Sequence, residues 1–347
     1  MPNKKPRIAQ LAPLWIPIPP RTYGGIELML SELTEELVRQ GYDITLFASG
    51  DSKTSAKFVP VIEKAIWLDH ELKNPHAPVM RMIKEVFDRL YNFDLIHNHF
   101  NFFMFPLSLR LDCPQFLTTV HRPVDKQYAE AMKAYHKIKY VAISEDHKKS
   151  MEEFGVPVLD MIYYGTDCTR YEFNNSPGDY LLYLSRLNRE KGILTAIEVA
   201  KAAGQKLIVA GNSAGNAEWS FFMHELQPVL NQEHINFRGQ VNFQEKIELF
   251  KNAKALLFPI DRREPFGFVM TEAMACGTPV IGFRRGSVPE IVEHGKTGFV
   301  VDTPEEMIGA IGRLPEINRK TCRKTVEEKF SLKQMVDKYE KIYEELV

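Results

Sequence analysis

The sequence predicts two doubly wound α/β domains in tandem, and three observations carry that expectation. Short apolar runs and helical patterns alternate through almost all of the 347 residues. The apolar runs are not interleaved with polar residues, as expected of parallel strands covered on both faces. A polar Asn-Asn-Ser-Pro-Gly stretch inside residues 168–179 separates two such series and reads as a linker; the length fits roughly two domains of about 150 residues each. Strand–helix repetition of this kind builds parallel sheets flanked by helices.

In the first series, RIAQLAP reads as a strand. PLWIPIPPRTYGG carries too much proline for either regular element and reads as a loop. IELMLSELTEELVRQG places Leu28, Leu30, Leu33, Leu37 and Val38 at helical spacing, with Gly41 as its cap. YDITLFAS, FDLIHNH, QFLTTVH and KYVAIS follow as strands, the last leading into a helical EDHKKSMEEFG. Residues 51–92 show little regular pattern. In the second series the strands are YLLYLSRL, KLIVAG, INFRG, ALLFPI, PVIGF and GFVVD. Between them lie helical GILTAIEVAKAAG, AEWSFFMHELQPVL, FQEKIELFKNA and GFVMTEAMACG. The end, INRKTCRKTVEEKFSLKQMVDKYEKIYEELV, reads as one or two helices. No solenoid repeat or low-complexity tract is visible.

Composition narrows the function classes. Hydrophobic residues make up 44% and charged residues 26%, as in ordinary globular proteins. A formal net charge of −1 without a long Lys/Arg run argues against a nucleic-acid partner. Cys113, Cys168, Cys276 and Cys322 are widely spaced, so neither a zinc knuckle nor a disulfide framework is indicated. Free thiols fit a reducing cytoplasm, the expected location. No apolar run approaches the roughly 18 residues of a membrane-spanning helix, and the basic N-terminus lacks a signal-peptide pattern.

Ligands of doubly wound sheets bind beyond the carboxyl ends of the strands, which directs attention to four places. In RTYGGIE, Gly24 and Gly25 precede a helix; the pair serves either an anion at the helix N-terminus or a turn of unusual φ. In LSRLNREKG, Arg186 and Lys191 form either a diphosphate clamp or a solvated basic turn, and pattern alone favours the turn. In REPFGFVMTEAMACGTPV, Glu264 sits in a loop and Glu272 in a helix apolar nearly all round, hence buried. A buried ionised carboxylate needs a partner. A vicinal diol such as a ribose matches its two oxygens, while a salt bridge to Arg or Lys is the commoner solution for a helical Glu. Finally, His97 and His99 face the same side of a strand. They lack a third metal ligand at recognisable spacing, so a polar strand end is preferred. His121, at the end of another strand, reads as structural when taken alone. No Gly-x-Gly occurs anywhere, which argues against a nicotinamide or flavin fingerprint.

Taken in order, GGIE, DLIHNHF, TTVHRP, VAISE, LSRLNREKG, LIVAGN, EPFGFVMTEAMACGTPVIGF and GSVPEIVEHGKTGFVV resemble the retaining glycosyltransferases of family 4, over nearly the whole chain. The specific part is Glu264 and Glu272 with seven residues between them, joined to the upstream Arg186 and Lys191. The resemblance implies the GT-B fold, two Rossmann-like domains facing across a cleft. Residues 1–170 would form the acceptor side, residues 179–330 would hold a nucleotide-diphospho-sugar donor, and a C-terminal helix, 331–347, would cross back to the first domain. It also reverses the preferences above. By position, Glu272 would bind the ribose, Glu264 the hydroxyls of the donor sugar, and backbone amides around Phe266, Gly267 and Phe268 would help hold that sugar. Arg186 and Lys191 would neutralise the diphosphate, Gly24 and Gly25 would approach it, and His121 would meet donor sugar or acceptor.

The expected reaction is transfer of a hexose to a hydroxyl acceptor, with retention implied by the family alone. UDP-glucose is the first donor choice and GDP-mannose the second. The sequence has no Asp-x-Asp pair to hold a metal, so the charge on the leaving diphosphate falls to Arg186, Lys191 and helix dipoles. Metal-independent transfer without a cofactor is therefore expected. The acceptor is a sugar, lipid-linked or small-molecule hydroxyl, and peripheral membrane contact stays open. The other readings are a nucleotide-sugar epimerase, a glycan phosphorylase and a non-catalytic sugar-nucleotide binder. One departure is Asp261, Arg262 and Arg263, where the family often has a turn of small residues. Solvation is the preferred reading for these arginines, contact with an acidic acceptor or donor group the other.

Overall fold

The structure, a computed structural model, describes residues 5–22, 24–110, 112–213, 216–230 and 233–347. Tyr23 of the RTYGGIE stretch lies outside the described residues. The chain divides into two units, Met1–Gly165 with Leu332–Val347, and Thr166–Ser331.

The first unit is built on β1 (Arg7–Leu11), β2 (Asp43–Ser49), β3 (Lys57–Ile62), β4 (Leu95–Asn98), β5 (Gln115–Thr119), β6 (Lys139–Ala142) and β7 (Val158–Met161). They form one parallel sheet in the order β3-β2-β1-β4-β5-β6-β7. Central β1, β2 and β4 are buried at nearly every position, mostly by apolar residues, with Gln10, Thr45, Ser49, His97 and Asn98 buried among them. Edge strands β3 and β7 are partly exposed. β7 carries no comparable run, and in β3 the run is interrupted by Pro60, tolerated because an edge strand has a side without ladder bonds. The helix Gly25–Arg39 buries Leu28, Leu30, Leu33 and Leu37. The C-terminal helix Leu332–Leu346 buries Met335, Val336, Tyr339, Ile342 and Tyr343, a single apolar stripe at helical spacing, and packs on Gly25–Arg39. The end of the chain thus belongs to the first unit.

The second unit contains β8 (Tyr180–Leu184), β9 (Lys206–Ala210), β10 (Ile235–Gly239), β11 (Ala253–Phe258), β12 (Val280–Phe283) and β13 (Gly298–Val301). They run parallel in the order β10-β9-β8-β11-β12-β13. Residues 168–179, expected as a linker, are fastened into this unit. Tyr171 is buried, and Arg323 donates to the carbonyl oxygens of Cys168, Tyr171 and Ala275 at 2.8–2.9 Å. Buried Arg319 similarly donates to the carbonyl oxygens of Asn174, Lys251 and Ala253 and to Thr278 Oγ1, at 2.7–2.8 Å. The polar composition that suggested a free connection reflects turns whose backbone groups these two arginines satisfy.

Both sheets have the Rossmann-like 3-2-1-4-5-6 arrangement, so each reverses its winding at one place: β1 beside β4, and β8 beside β11. Loops leaving the carboxyl ends of these strands flank a crevice in such a fold. No helix among the described residues is long and apolar enough to cross a membrane.

Candidate functional site

In the second unit the loops after β8 and β11 hold most of the charged residues singled out above. Below the first loop, the buried Tyr183 hydroxyl lies 3.2 Å from the carbonyl oxygens of both Arg186 and Lys191. Asn188 Oδ1 accepts from the Lys191 amide at 3.0 Å, closing a single turn over Arg189–Lys191. Gly192 then takes a left-handed conformation, φ 73°, and starts the helix Ile193–Ala202. A Cβ at Gly192 would meet the Pro259 carbonyl oxygen at 1.9 Å. The two loops therefore interlock at a position only glycine fits. Gly192→Ala is expected to cost more than about 2 kcal/mol and to loosen both loops together. Denaturant unfolding of the variant checks this; an unchanged midpoint would refute the interlock.

The second loop is set by its neighbour after β12. Ser287 donates from its amide to the Glu264 carbonyl at 2.9 Å and from its hydroxyl to the Phe266 carbonyl at 2.8 Å. Gly286 leaves no room for a Cβ, which would come within 2.3 Å of the Glu264 backbone. This holds the Glu264 side chain, 8% exposed, toward the first loop, where Lys191 Nζ donates to its Oε2 at 2.5 Å. Burial pushes the Lys191 ammonium below its ordinary pKa; Glu264 opposes that shift, while Arg262 and Arg186 reinforce it. Arg186 pairs with Glu218, which also accepts from Asn188 Nδ2 at 3.1 Å. Gly267, φ 74°, caps the helix Phe268–Ala275, and Phe266 and Phe268 are buried beside it.

Glu272, on that helix, is 4% exposed. The resemblance pointed away from a protein cation, yet the structure supplies one: buried Lys246, on the helix Phe243–Asn252, donates to Glu272 Oε1. The Tyr171 hydroxyl donates to the same oxygen at 2.8 Å. Both bonds fall on Oε1. Lys246 and Tyr171 were not foreseen as site residues, and only the buried charge of Glu272 pointed to the existence of such partners.

In the first unit, Gly24 has φ 147° and precedes the helix Gly25–Arg39, whose first amides have no side-chain cap. A Cβ at Gly24 would come within 2.8 Å of Glu27 Oε2 and of Pro20. Glu27 is a further residue the sequence reading missed. Desolvation pushes its carboxyl up to about 7, against the pull of its own backbone amide. A carboxyl that is readily protonated removes much of the repulsion an anion would meet at this helix start.

The histidines form a buried row. His99 Nδ1 lies 3.0 Å from His121 Nε2, and His121 Nδ1 lies 2.5 Å from the Tyr164 hydroxyl. The His97 ring is tilted against that of His99, centroids 4.0 Å apart, with Nδ1 2.7 Å from the Tyr343 hydroxyl and Nε2 2.9 Å from Thr119 Oγ1. Burial first, and neighbouring histidines second, hold all three well below the usual imidazole pKa. They are neutral near pH 7, and both ring nitrogens of His121 are already engaged. Among the described residues no set of three or more His, Cys, Asp or Glu is grouped to hold a metal ion. A cavity of about 930 Å³ bordered by Gln205, Lys254, Pro279, Ile308 and Ile317 lies at the opposite, amino-terminal edge of the second sheet, away from these loops.

Comparison with known proteins bears on the family and the fold. Residues 170–330 match the family described as glycosyl transferases group 1, and residues 23–170 match glycosyltransferase family 4. Over 366 aligned residues the chain is 25% identical to an uncharacterized glycosyltransferase of Methanocaldococcus jannaschii, spanning 90% of this chain and 92% of that protein. It is 23% identical to O-antigen chain mannosyltransferase C of Escherichia coli, across 94% and 96% of the two. Its fold is similar to that of sucrose-phosphate synthase from Thermosynechococcus elongatus, with TM-score 0.82, 19% identity and 98% of each chain covered. A second structural neighbour, an Anabaena protein solved in complex with UDP-glucose, gives TM-score 0.78 at 16% identity, with 98% of this chain and 100% of that one covered.

Proposed function

We propose that this chain, which belongs to the group 1 and family 4 glycosyltransferases, moves a hexose from a nucleotide-diphospho-sugar to a hydroxyl acceptor, with retention and without a metal ion. The observation that carries this reading is the buried Lys191–Glu264 pair, flanked by Arg186, at the place where the second sheet reverses its winding. In the proposed reaction the bond from the anomeric carbon to the diphosphate breaks as the acceptor oxygen attacks from the same face, and the leaving phosphate takes the acceptor proton. Negative charge then grows on the phosphate oxygens. Arg186, Lys191 and the start of the helix Ile193–Ala202 are placed to stabilise it. Glu264 accepts from sugar hydroxyls, helped by amides of the Phe266-Gly267-Phe268 turn, and Glu272 Oε2 accepts from a ribose hydroxyl.

In the first unit, Gly24 and Gly25 are assigned the task of meeting a phosphate with backbone amides. His121 is assigned contact with donor sugar or acceptor through its ring, since His99 and Tyr164 take both its nitrogens; its depressed pKa makes it a weak base. UDP-glucose is the first donor choice, supported by the neighbour solved with that molecule. GDP-mannose is the second, supported by the mannosyltransferase relative.

A thermal-shift panel of nucleotide sugars tests the reading. One donor is expected to raise the melting temperature of the intact protein by several degrees and that of Glu272→Ala by much less. Turnover with that donor is expected to persist in a chelator. Loss of activity that magnesium restores would overturn the metal-independent part, and an equal shift in Glu272→Ala would remove the ribose assignment.

A further inference from the structure

Arg262 lies outside the donor contacts assigned above, in the loop between β11 and Glu264. Its Nη1 donates to Glu190 Oε2 at 2.8 Å, and the neighbouring Asp261 amide donates to the Glu190 carbonyl at 2.9 Å. These two bonds fasten the loop to the residue immediately before Lys191. Among the described residues, seven buried side-chain polar atoms have no hydrogen-bond partner, and just two of them are guanidinium nitrogens: Nε of Arg186 and Nε of Arg262. Arg186 and Arg262 are also the two cations whose charge bears on the Lys191 ammonium, Arg262 the more strongly. Two independent features thus single out the same pair of arginines.

A buried guanidinium N–H without an acceptor is unfavourable, and like charges this close repel. An anion with several oxygen acceptors relieves both. The Glu190 carboxylate already takes Arg262 Nη1 and holds the guanidinium in one orientation, with Nε still to be satisfied. A planar guanidinium suits a phosphate oxygen better than an ammonium does. We propose that Arg262 is a third cation of the donor site, taking a phosphate oxygen of the leaving diphosphate beside Arg186 and Lys191. This rests on the reading of the site given above. It gives the arginine, which the sequence alone favoured as solvated, a binding task, and it adds a positive charge where no metal ion is invoked.

Binding of inorganic pyrophosphate, followed by calorimetry at low salt, tests this without knowledge of base or sugar. Arg262→Gln is expected to weaken pyrophosphate binding roughly tenfold, and Arg186→Gln by at least as much. Arg285→Gln removes a nearby cation that lies 4.0 Å from Asp261 and is expected to change affinity less than twofold. Glu190→Ala removes the side-chain acceptor of Arg262 while keeping the guanidinium, and is expected to hold or raise affinity. Weakening by Glu190→Ala equal to that of Arg262→Gln would make Arg262 a loop fastener only and overturn the proposal. Equal weakening by Arg262→Gln and Arg285→Gln would also overturn it, as a general field effect. Wild-type affinity in Arg262→Gln with loss in Arg186→Gln would defeat the proposal and leave the donor site standing. Wild-type affinity in both would remove the diphosphate reading itself.

Discussion

Lys191→Ala is expected to lower kcat by about a thousandfold, with a much smaller rise in donor KM. The leaving diphosphate gains negative charge as the glycosidic bond stretches, so a cation beside it acts mostly in the transition state. Removing one preorganised group of this kind typically costs a factor of about 10²–10³, or roughly 4 kcal/mol at the upper end. The upper end applies here because the substitution has a second effect. Glu264 is buried and has Lys191 Nζ at 2.5 Å; without the ammonium, a bare carboxylate faces the incoming phosphate. Lys191→Arg keeps the charge and is expected to recover part of the rate. Because the two residues act as one pair, Lys191→Ala combined with Glu264→Gln should fall well short of the product of the single losses. The measurement is steady-state transfer with the donor identified by thermal shift. A folded Lys191→Ala protein with kcat within twofold of wild type would reject the assignment.

Acid should weaken the first unit well above the range in which surface carboxylates protonate. His97, His99 and His121 are buried and held neutral, whereas in the unfolded chain they titrate near 6.5. Above that pH both states are neutral and the histidines contribute nothing to the pH dependence. As pH falls through 6.5, the unfolded chain takes up three protons that the folded chain refuses, and stability drops. Glu27 acts in the opposite sense. Its carboxyl titrates at about 7 in the folded unit and near 4.5 when unfolded, so between those values the folded state holds one extra proton. The net difference is two protons, or about 3 kcal/mol per pH unit near pH 5.5. Denaturant unfolding at pH 7.5, 6.5 and 5.5 measures the slope. His99→Gln removes one of the three protons and should reduce the slope to about 1.4 kcal/mol per pH unit. Equal stabilities at pH 7.5 and 5.5 would show that the row tolerates charge.

The fold was legible where strands are covered on both faces. β1, β2, β4, β8, β9, β11 and β12 announce themselves as stretches rich in apolar residues because both faces of each are covered, with Gln10, Thr45, His97 and Asn98 buried among them. Edge strand β3 escaped notice because Pro60 interrupts its apolar run, and β7 because half of it meets solvent. The helices His76–Phe87 and Lys126–Ala134 went unassigned beside them. Residues 168–179 misled for a related reason: their polar turns look like a linker, while the arginines that pin them, Arg319 and Arg323, come about 150 positions later. Among the candidate residues, Gly24, Arg186, Lys191, Glu264 and Glu272 could be picked out by type and order. Their partners were not. Lys246 reaches Glu272 across 26 residues, Glu218 reaches Arg186 across 32, and Lys191 reaches Glu264 across 73.

The stretch REPFGFVMTEAMACGTPV shows where the division falls. Its apolar surroundings fixed by themselves that Glu272 would be buried, since hydrophobic periodicity is a local property of the chain. The identity of the neutralising group depended on which helix packs alongside. Only the tertiary structure brought Lys246 and Tyr171 to Oε1. The same holds for Arg262. The sequence supplied a guanidinium before Glu264, and the loop packing that ties it to Glu190 decided that its Nε is buried beside Lys191. A sequence specifies which charges a site owns; long-range packing specifies which of them remain to be satisfied by the substrate.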